Sequence, residues 1–168
     1  MGLLDQVLVQ GDDSRLKQKL VNETGITGEV SGGINADLGT MFNYRGPMLW
    51  SFNFTHDPGR SDKEITGAID QVIEDVRTRG VTQEELDRAR TKLRSQLYAG
   101  IDSQGKLGLV DLLAVYALFD NDPGAVNRIE DGFAKVTRAD VQRVAREYLR
   151  PDNRSIYTIV PAAKGETK

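Results

Sequence analysis

Apolar residues recur along this chain at two spacings, and the changes between them divide it into elements. The clearest stretch is Val81–Ile101, where Leu86, Ala89, Leu93, Leu97 and Ile101 fall at three- and four-residue steps and so line one face of a helix. Thr82 followed by Glu85 forms a capping box at its start, and Glu84 stands four residues ahead of Arg88 as a favourable pair. Asp87, Arg90, Lys92 and Arg94 occupy the polar faces. Ahead of it, Leu3, Leu4, Val7 and Leu8 share a face of a helix that opens without a cap, which predicts a fragment that begins inside a domain. Asp13 or Ser14 caps a second short helix with Leu16, Leu20 and Val21 inward, and Gly25 ends it as a glycine cap.

From Ile26 to Phe54 the period shortens. Thr27–Ile34 reads as a strand with a bulge or a close backbone approach at Gly32-Gly33, Thr40–Tyr44 as a second short strand, and Met48–Thr55 as the strongest. In the last, Trp50, Phe52 and Phe54 alternate with Ser51 and Asn53, and the short connections predict an antiparallel meander. Helical spacing then returns. Ser61 with Glu64 caps a helix carrying Ile65, Ile69, Val72, Ile73 and Val76, which Gly80 closes. Lys106–Phe119 is a separate apolar helix with Leu109, Leu112, Leu113, Tyr116 and Leu118, expected to be the most buried and to receive Leu93 against Leu112 or Leu113. Pro123 opens a short helix running to about Phe133, and Thr137 with Asp140 caps the last, with Val141, Val144, Ala145, Tyr148 and Leu149 inward. Pro151 stops it, and Asn153–Val160 reads as a closing strand. Strands first, helices grouped, one strand returning: the order predicts a single α+β domain over residues 1–161, an antiparallel sheet packed on a group of helices, with a disordered tail at 162–168.

Composition narrows the function. At 39% hydrophobic and 28% charged, the sequence is that of an ordinary globular protein. A net charge of −3 argues against a nucleic-acid partner, and no apolar run is long enough to span a membrane. No cysteine is present, which removes disulfides, thiolate zinc sites and cysteine nucleophiles together. A lone histidine, His56, falls short of the two imidazoles that common His-based zinc sites use, and only it could serve a Ser–His–Asp triad. The compartment stays open, the cell envelope or periplasm being preferred to the cytoplasm.

The remaining constellations have plain alternatives. Gly11-Asp12-Asp13-Ser14-Arg15 lacks the spacing of a phosphate loop and reads as a capping loop. Asp120-Asn121-Asp122 has calcium-like oxygens but no closing glutamate, and reads as a solvated turn. The Trp50, Phe52, Phe54 stripe could stack bases, but without a basic groove it reads as core. Glu84-Glu85 and Glu130-Asp131 lie on helix surfaces. The residues alone yield an α+β domain without catalytic apparatus of its own.

Three stretches, taken in series, resemble the C-terminal, non-catalytic domain of pitrilysin/insulinase-type zinc metallopeptidases. They are Asp13-Ser14-Arg15-Leu16 running on to Glu29-Val30, the helix start Val81–Ala89, and Val136–Leu149 continuing to Asn153-Arg154. The resemblance implies a chamber of α+β domains, with zinc held by an inverted His-x-x-Glu-His motif in a partner N-terminal domain and none in this chain. It implies two partners, that zinc-bearing domain and a peptide substrate. Copies of this domain that support catalysis often carry an Arg and, seven residues on, a Tyr just after the Ser-Arg-Leu helix; Val21 and Gly28 stand at those places, and neither side chain can donate a hydrogen bond. The chain is therefore expected to be a chamber-forming, substrate-positioning domain, the alternative being a scaffold or interaction subunit of the same fold without peptidase activity. The resemblance also implies a first strand that this chain lacks, leaving a sheet edge on which a homodimer could form.

Overall fold

The computed structural model describes residues 1–36 and 41–160, with the backbone alone at 104–107. The elements are helices α1 (Gly2–Leu8), α2 (Arg15–Lys17), α3 (Asp62–Arg79), α4 (Gln83–Asp120), α5 (Ile129–Ala134) and α6 (Arg138–Tyr148) and two strands, β1 (Ser31–Ile34) and β2 (Trp50–Asn53). A π turn, Gln18–Glu23, continues α2, and a 3-10 turn, Pro123–Arg128, leads into α5. The architecture is α+β, as the patterning predicts.

Helix α1 lies at the centre. Its apolar residues Leu3, Leu4, Val7 and Leu8 are buried, and so are Asp5 and Gln6 between them. It packs on α4, α2, α6 and β1, while α3 packs on α6. The core joins α1 to Leu16 and Leu20, to Ile65, Val72 and Val76 of α3, to Leu86, Ala89 and Leu93 of α4, and to Val141 and Ala145 of α6. Each fully buried leucine among them stabilises the fold by about 1.5–3 kcal/mol relative to its exposed state.

The caps follow the sequence closely. Thr82–Glu85 and Thr137–Asp140 each make both bonds of a capping box. At α3 only half forms: Ser61 Oγ accepts from the Glu64 amide at 3.2 Å, while the Glu64 carboxylate turns to Arg60 at 2.5 Å. Gly25, at φ +59°, ends the second helix, where the Ile26 amide bonds back to the Leu20 carbonyl at 2.8 Å. Ser14 occupies the N-cap position without a capping bond from its side chain.

Strands β1 and β2 pair antiparallel, Ser31 opposite Asn53 and Ile34 opposite Trp50. The close approach expected at Gly32 is found: with φ +153°, a Cβ there would run into the Ser51 carbonyl and Phe52 Cα. The strands are shorter than the predicted Thr27–Ile34 and Met48–Thr55. Of the strand predicted over Thr40–Tyr44, residues 41–44 form turn and coil, and position 40 lies outside the described residues, as does the predicted tail.

Further expectations are corrected. Asn153–Val160 carries no strand and stands exposed, because no described strand lies alongside to take its backbone hydrogen bonds. The helices predicted separately to Ile101 and from Lys106 are one helical run, Gln83–Asp120. That run is sharply bent, since a Cβ on Gly108 would strike the carbonyl of Gly100, eight residues earlier and about 12 Å away in a straight helix. Nor is its second arm the most buried part. Leu112 is buried there, but Leu113, Leu118, Val110 and Phe119 are exposed. Leu93 sits against α1, where a Cβ at Gly2 would lie 3.5 Å from Leu93 Cδ2.

Candidate substrate-facing surface

The three motif stretches converge on one another. Arg15, at the first position of α2, aims its guanidinium into the joint between α3 and α4. Nε and Nη2 donate to the two oxygens of Glu85 at 2.7 and 2.8 Å, Nη1 donates to Asp75 at 2.7 Å, and Nη2 also donates to the Gly80 carbonyl at 3.1 Å. Glu85 is also the third residue of the α4 capping box, accepting from the Thr82 amide at 2.7 Å. Burial pushes the Glu85 carboxyl up, but Arg15 and the Thr82 amide outweigh that and hold it at about 2. Beside it, Asp13 pairs with Arg88 at 3.0 Å and with Lys92, and Lys92 donates to the Gln10 carbonyl at 2.9 Å. The third stretch enters through Arg90, whose Nη2 donates to the Val136 carbonyl at 2.7 Å, and through Gln142 and Arg146, which close over the carbonyls of Thr78 and Arg77.

A second polar centre escaped the sequence reading. Asp5 is buried within α1; its Oδ1 accepts from Trp50 Nε1 at 2.7 Å and its Oδ2 from Gln10 Nε2 at 3.0 Å. Gln10 Nε2 reaches on to the Gly32 carbonyl at 2.9 Å, so one carboxylate ties α1 to both strands. Burial raises the Asp5 carboxyl above its ordinary range, the Trp50 and Gln10 bonds opposing. The signal was available: a carboxylate inside Leu-Leu-Asp-Gln-Val-Leu needs a partner if that helix is core.

Of the two family positions, Val21 lies half-buried in the π turn against the apolar core. Gly28 is exposed, and a Cβ there would meet nothing within 4 Å. It directly precedes Glu29, which with Gln10, Gly11, Lys17, Ser31 and Gly32 lines an open cleft of about 330 Å³ beside β1. Gly28 thus flanks a concave surface, and Val21 does not line it.

The other candidates resolve into structure. His56 Nδ1 lies 3.0 Å from the Asp57 carbonyl, and its ring tilts toward Phe54. Asp120 pairs with Arg45 at 2.5 Å and Asp122 with Arg128, so arginines take the oxygens of that turn. Glu84 binds Arg88, and Glu130 binds Arg94 at 3.1 Å. Trp50, Phe52 and Phe54 pack against the core, half-buried. Among the described residues no three His, Cys, Asp or Glu side chains are gathered to hold a metal. No described helix is long and apolar enough to cross a membrane.

A helical α+β domain whose motif residues build joints between helices is the class of protein these contacts define. The sequence pattern of one family, described as the peptidase M16 inactive domain, matches residues 1–93, and the chain belongs to that family. The inactive peptidase domain of a proposed zinc protease from Bordetella parapertussis has the same fold, with TM-score 0.76 and 24% identity over 98% of this chain and 84% of that one. A proposed zinc protease from Bordetella pertussis Tohama I gives 0.72 and 26% over 95% and 82%. A protease from Helicobacter pylori gives 0.63 and 19% over 88% of this chain but 33% of its own. No curated protein matches this chain.

Proposed function

We propose that this chain is the chamber-forming, substrate-positioning partner of a zinc-bearing peptidase domain and performs no chemistry itself. The observation that carries this reading is the match of residues 1–93 to an inactive peptidase domain, joined to motif residues that serve helix joints rather than a reacting centre. The zinc and its inverted His-x-x-Glu-His ligands belong, on this reading, to the partner. This chain supplies a rigid wall, the cleft beside β1 offers peptide a concave surface, and Gly28 leaves that surface clear of side chain. Such a wall acts by holding peptide in position, which lowers the entropy lost on reaching the transition state.

The test is reconstitution. A zinc-bearing domain from the same parent, assayed on an internally quenched peptide with and without this chain, is expected to gain activity on its addition. Chelator-sensitive cleavage by this chain alone would overturn the reading, as would full activity of the zinc domain without it. The latter outcome would favour a scaffold role.

A further inference from the structure

The charges and amides that line the cleft beside β1 are already committed, with one exception. Gln10 Nε2 serves both Asp5 and the Gly32 carbonyl. Lys17 Nζ is held by Asp12 at 2.6 Å, so its charge is matched at the rim. Gly11 and Gly32 add no side chain, and Val30 is buried. Glu29 lines the same cleft, and its carboxylate enters no ion pair among the described residues.

The backbone that carries this carboxylate is fixed. Thr27 Oγ1 accepts from the Glu29 amide at 3.2 Å and donates to the Glu29 carbonyl at 2.9 Å. Both backbone polar groups of Glu29 are thereby bonded, and its carboxylate alone is left for an incoming group. Glu29 and Ser31 are exposed on either side of buried Val30, so both stand on the open side of the chain. A cleft of about 330 Å³ is at the small end for a ligand site, and suits a residue or two of peptide rather than a long segment. An apolar side chain would meet little apolar surface there, and an acidic one would face Glu29.

We propose that Glu29 is a specificity-determining residue, which takes a cationic side chain of the peptide in this cleft, arginine ahead of lysine. Arginine leads because its guanidinium meets a carboxylate with two parallel bonds, where lysine offers a point charge. The inference rests on the reading of this chain as a substrate-positioning domain, and adds to it the class of side chain selected. No bond is made or broken at Glu29, so it acts only through how long the peptide stays. The pair forms at an open surface, and its effect is about two- to five-fold in affinity at low salt, shrinking as salt screens it.

The test titrates the full chain with short peptides, otherwise uncharged, that carry a single Arg, Lys, Gln or Glu at the centre, and follows the backbone amide resonances by NMR. The Arg peptide should bind about two- to five-fold more tightly than the Gln peptide, and the Glu peptide most weakly, with shifts centred on Glu29, Ser31 and Gly32. Glu29→Gln should erase the difference, and Glu29→Lys should reverse the order of the Arg and Glu peptides. Asp131→Asn, which changes the net charge of −3 by the same amount at an exposed position of α5, should leave the preference intact. Equal binding of the Arg and Gln peptides, a preference that survives Glu29→Gln, shifts on another face, or no binding of any peptide overturns the proposal. The reading beneath it fails separately: the zinc-bearing domain would then gain no activity from this chain, whatever Glu29→Gln does to binding.

Discussion

Arg15→Ala tests the joint between the first two motif stretches. The substitution removes two bonds to Glu85, one to Asp75 and one to the Gly80 carbonyl, all between 2.7 and 3.1 Å. It leaves Glu85 without a cation and Asp75 with Arg79 alone, at side-chain exposures of 18% and 26%. Breaking a fully buried pair costs about 3–5 kcal/mol, and solvent screening at this exposure reduces that to about 2–3 kcal/mol. The control is Arg143→Ala, whose pair with Glu147 at 3.3 Å is mostly exposed and is worth at most about 0.5–1 kcal/mol. Urea unfolding at neutral pH measures both. Lowering the pH gives the second reading. Glu85 ionises at about 2 in the folded chain against an ordinary 4.5, so its contribution is complete above about 4.5 and is lost as pH falls toward 2. Wild type and Arg15→Ala should therefore converge in stability across that window. If Arg15→Ala costs no more than Arg143→Ala, or the gap between the curves does not narrow with acid, the joint does not hold the helices together.

Further outcomes are expected from single substitutions. Leu93→Ala, at a site 2% exposed, should cost about 2–5 kcal/mol in urea unfolding. Arg90→Ala should cost about 1 kcal/mol by the same measurement, more than its place on a polar helix face suggests, because it holds the Val136 carbonyl. Asp5→Asn should flatten the pH dependence of stability at its upper acid limb. The raised carboxyl makes the folded state bind its proton more tightly than the unfolded one, so this group's contribution falls as pH rises from 3.8 through the raised value; fluorescence of Trp50, the sole tryptophan, reports the change. Gly32→Ala should disrupt the β1–β2 pair, seen as lost amide protection in hydrogen exchange, because its Cβ would overlap the Ser51 carbonyl.

What was legible in the sequence was local. Capping boxes at Thr82 and Thr137 act within four residues, so spacing alone reveals them. The faces of α1, α3 and α6 follow from period, and Gly32 from the rarity of glycine inside a strand. The failures were non-local. Residues 155–160 have the composition of a strand, but a strand exists only where a neighbour takes its hydrogen bonds, and composition says nothing of neighbours. The second arm of α4 is apolar on two sides, Leu112 inward and Val110 and Leu118 outward, so its apolarity does not translate into burial. Asp5 reads as an interruption on a helical wheel, because its partners stand 5 and 45 residues away.

The Ser-Arg-Leu and Glu-Glu-Leu stretches explain why the family could be read without a site. Arg15 and Glu85 are 70 residues apart in sequence and meet with bidentate geometry, and Asp13 reaches Arg88 across a similar gap. A guanidinium that must serve Glu85, Asp75 and the Gly80 carbonyl together cannot be replaced by lysine, which has a point charge and no fork. The same joint fixes the angle at which α2 meets α3 and α4, and with it the position of the chain that leaves α2 for Gly28 and β1. What the motifs specify is therefore the placement of helices relative to one another. Whatever stands at Val21 and Gly28, the joint can stay intact, because none of its bonds passes through either position. Arg15→Lys should accordingly lower both stability and any reconstituted peptidase activity, whereas Val21→Arg with Gly28→Tyr should leave the Arg15 joint unchanged and alter peptide handling alone.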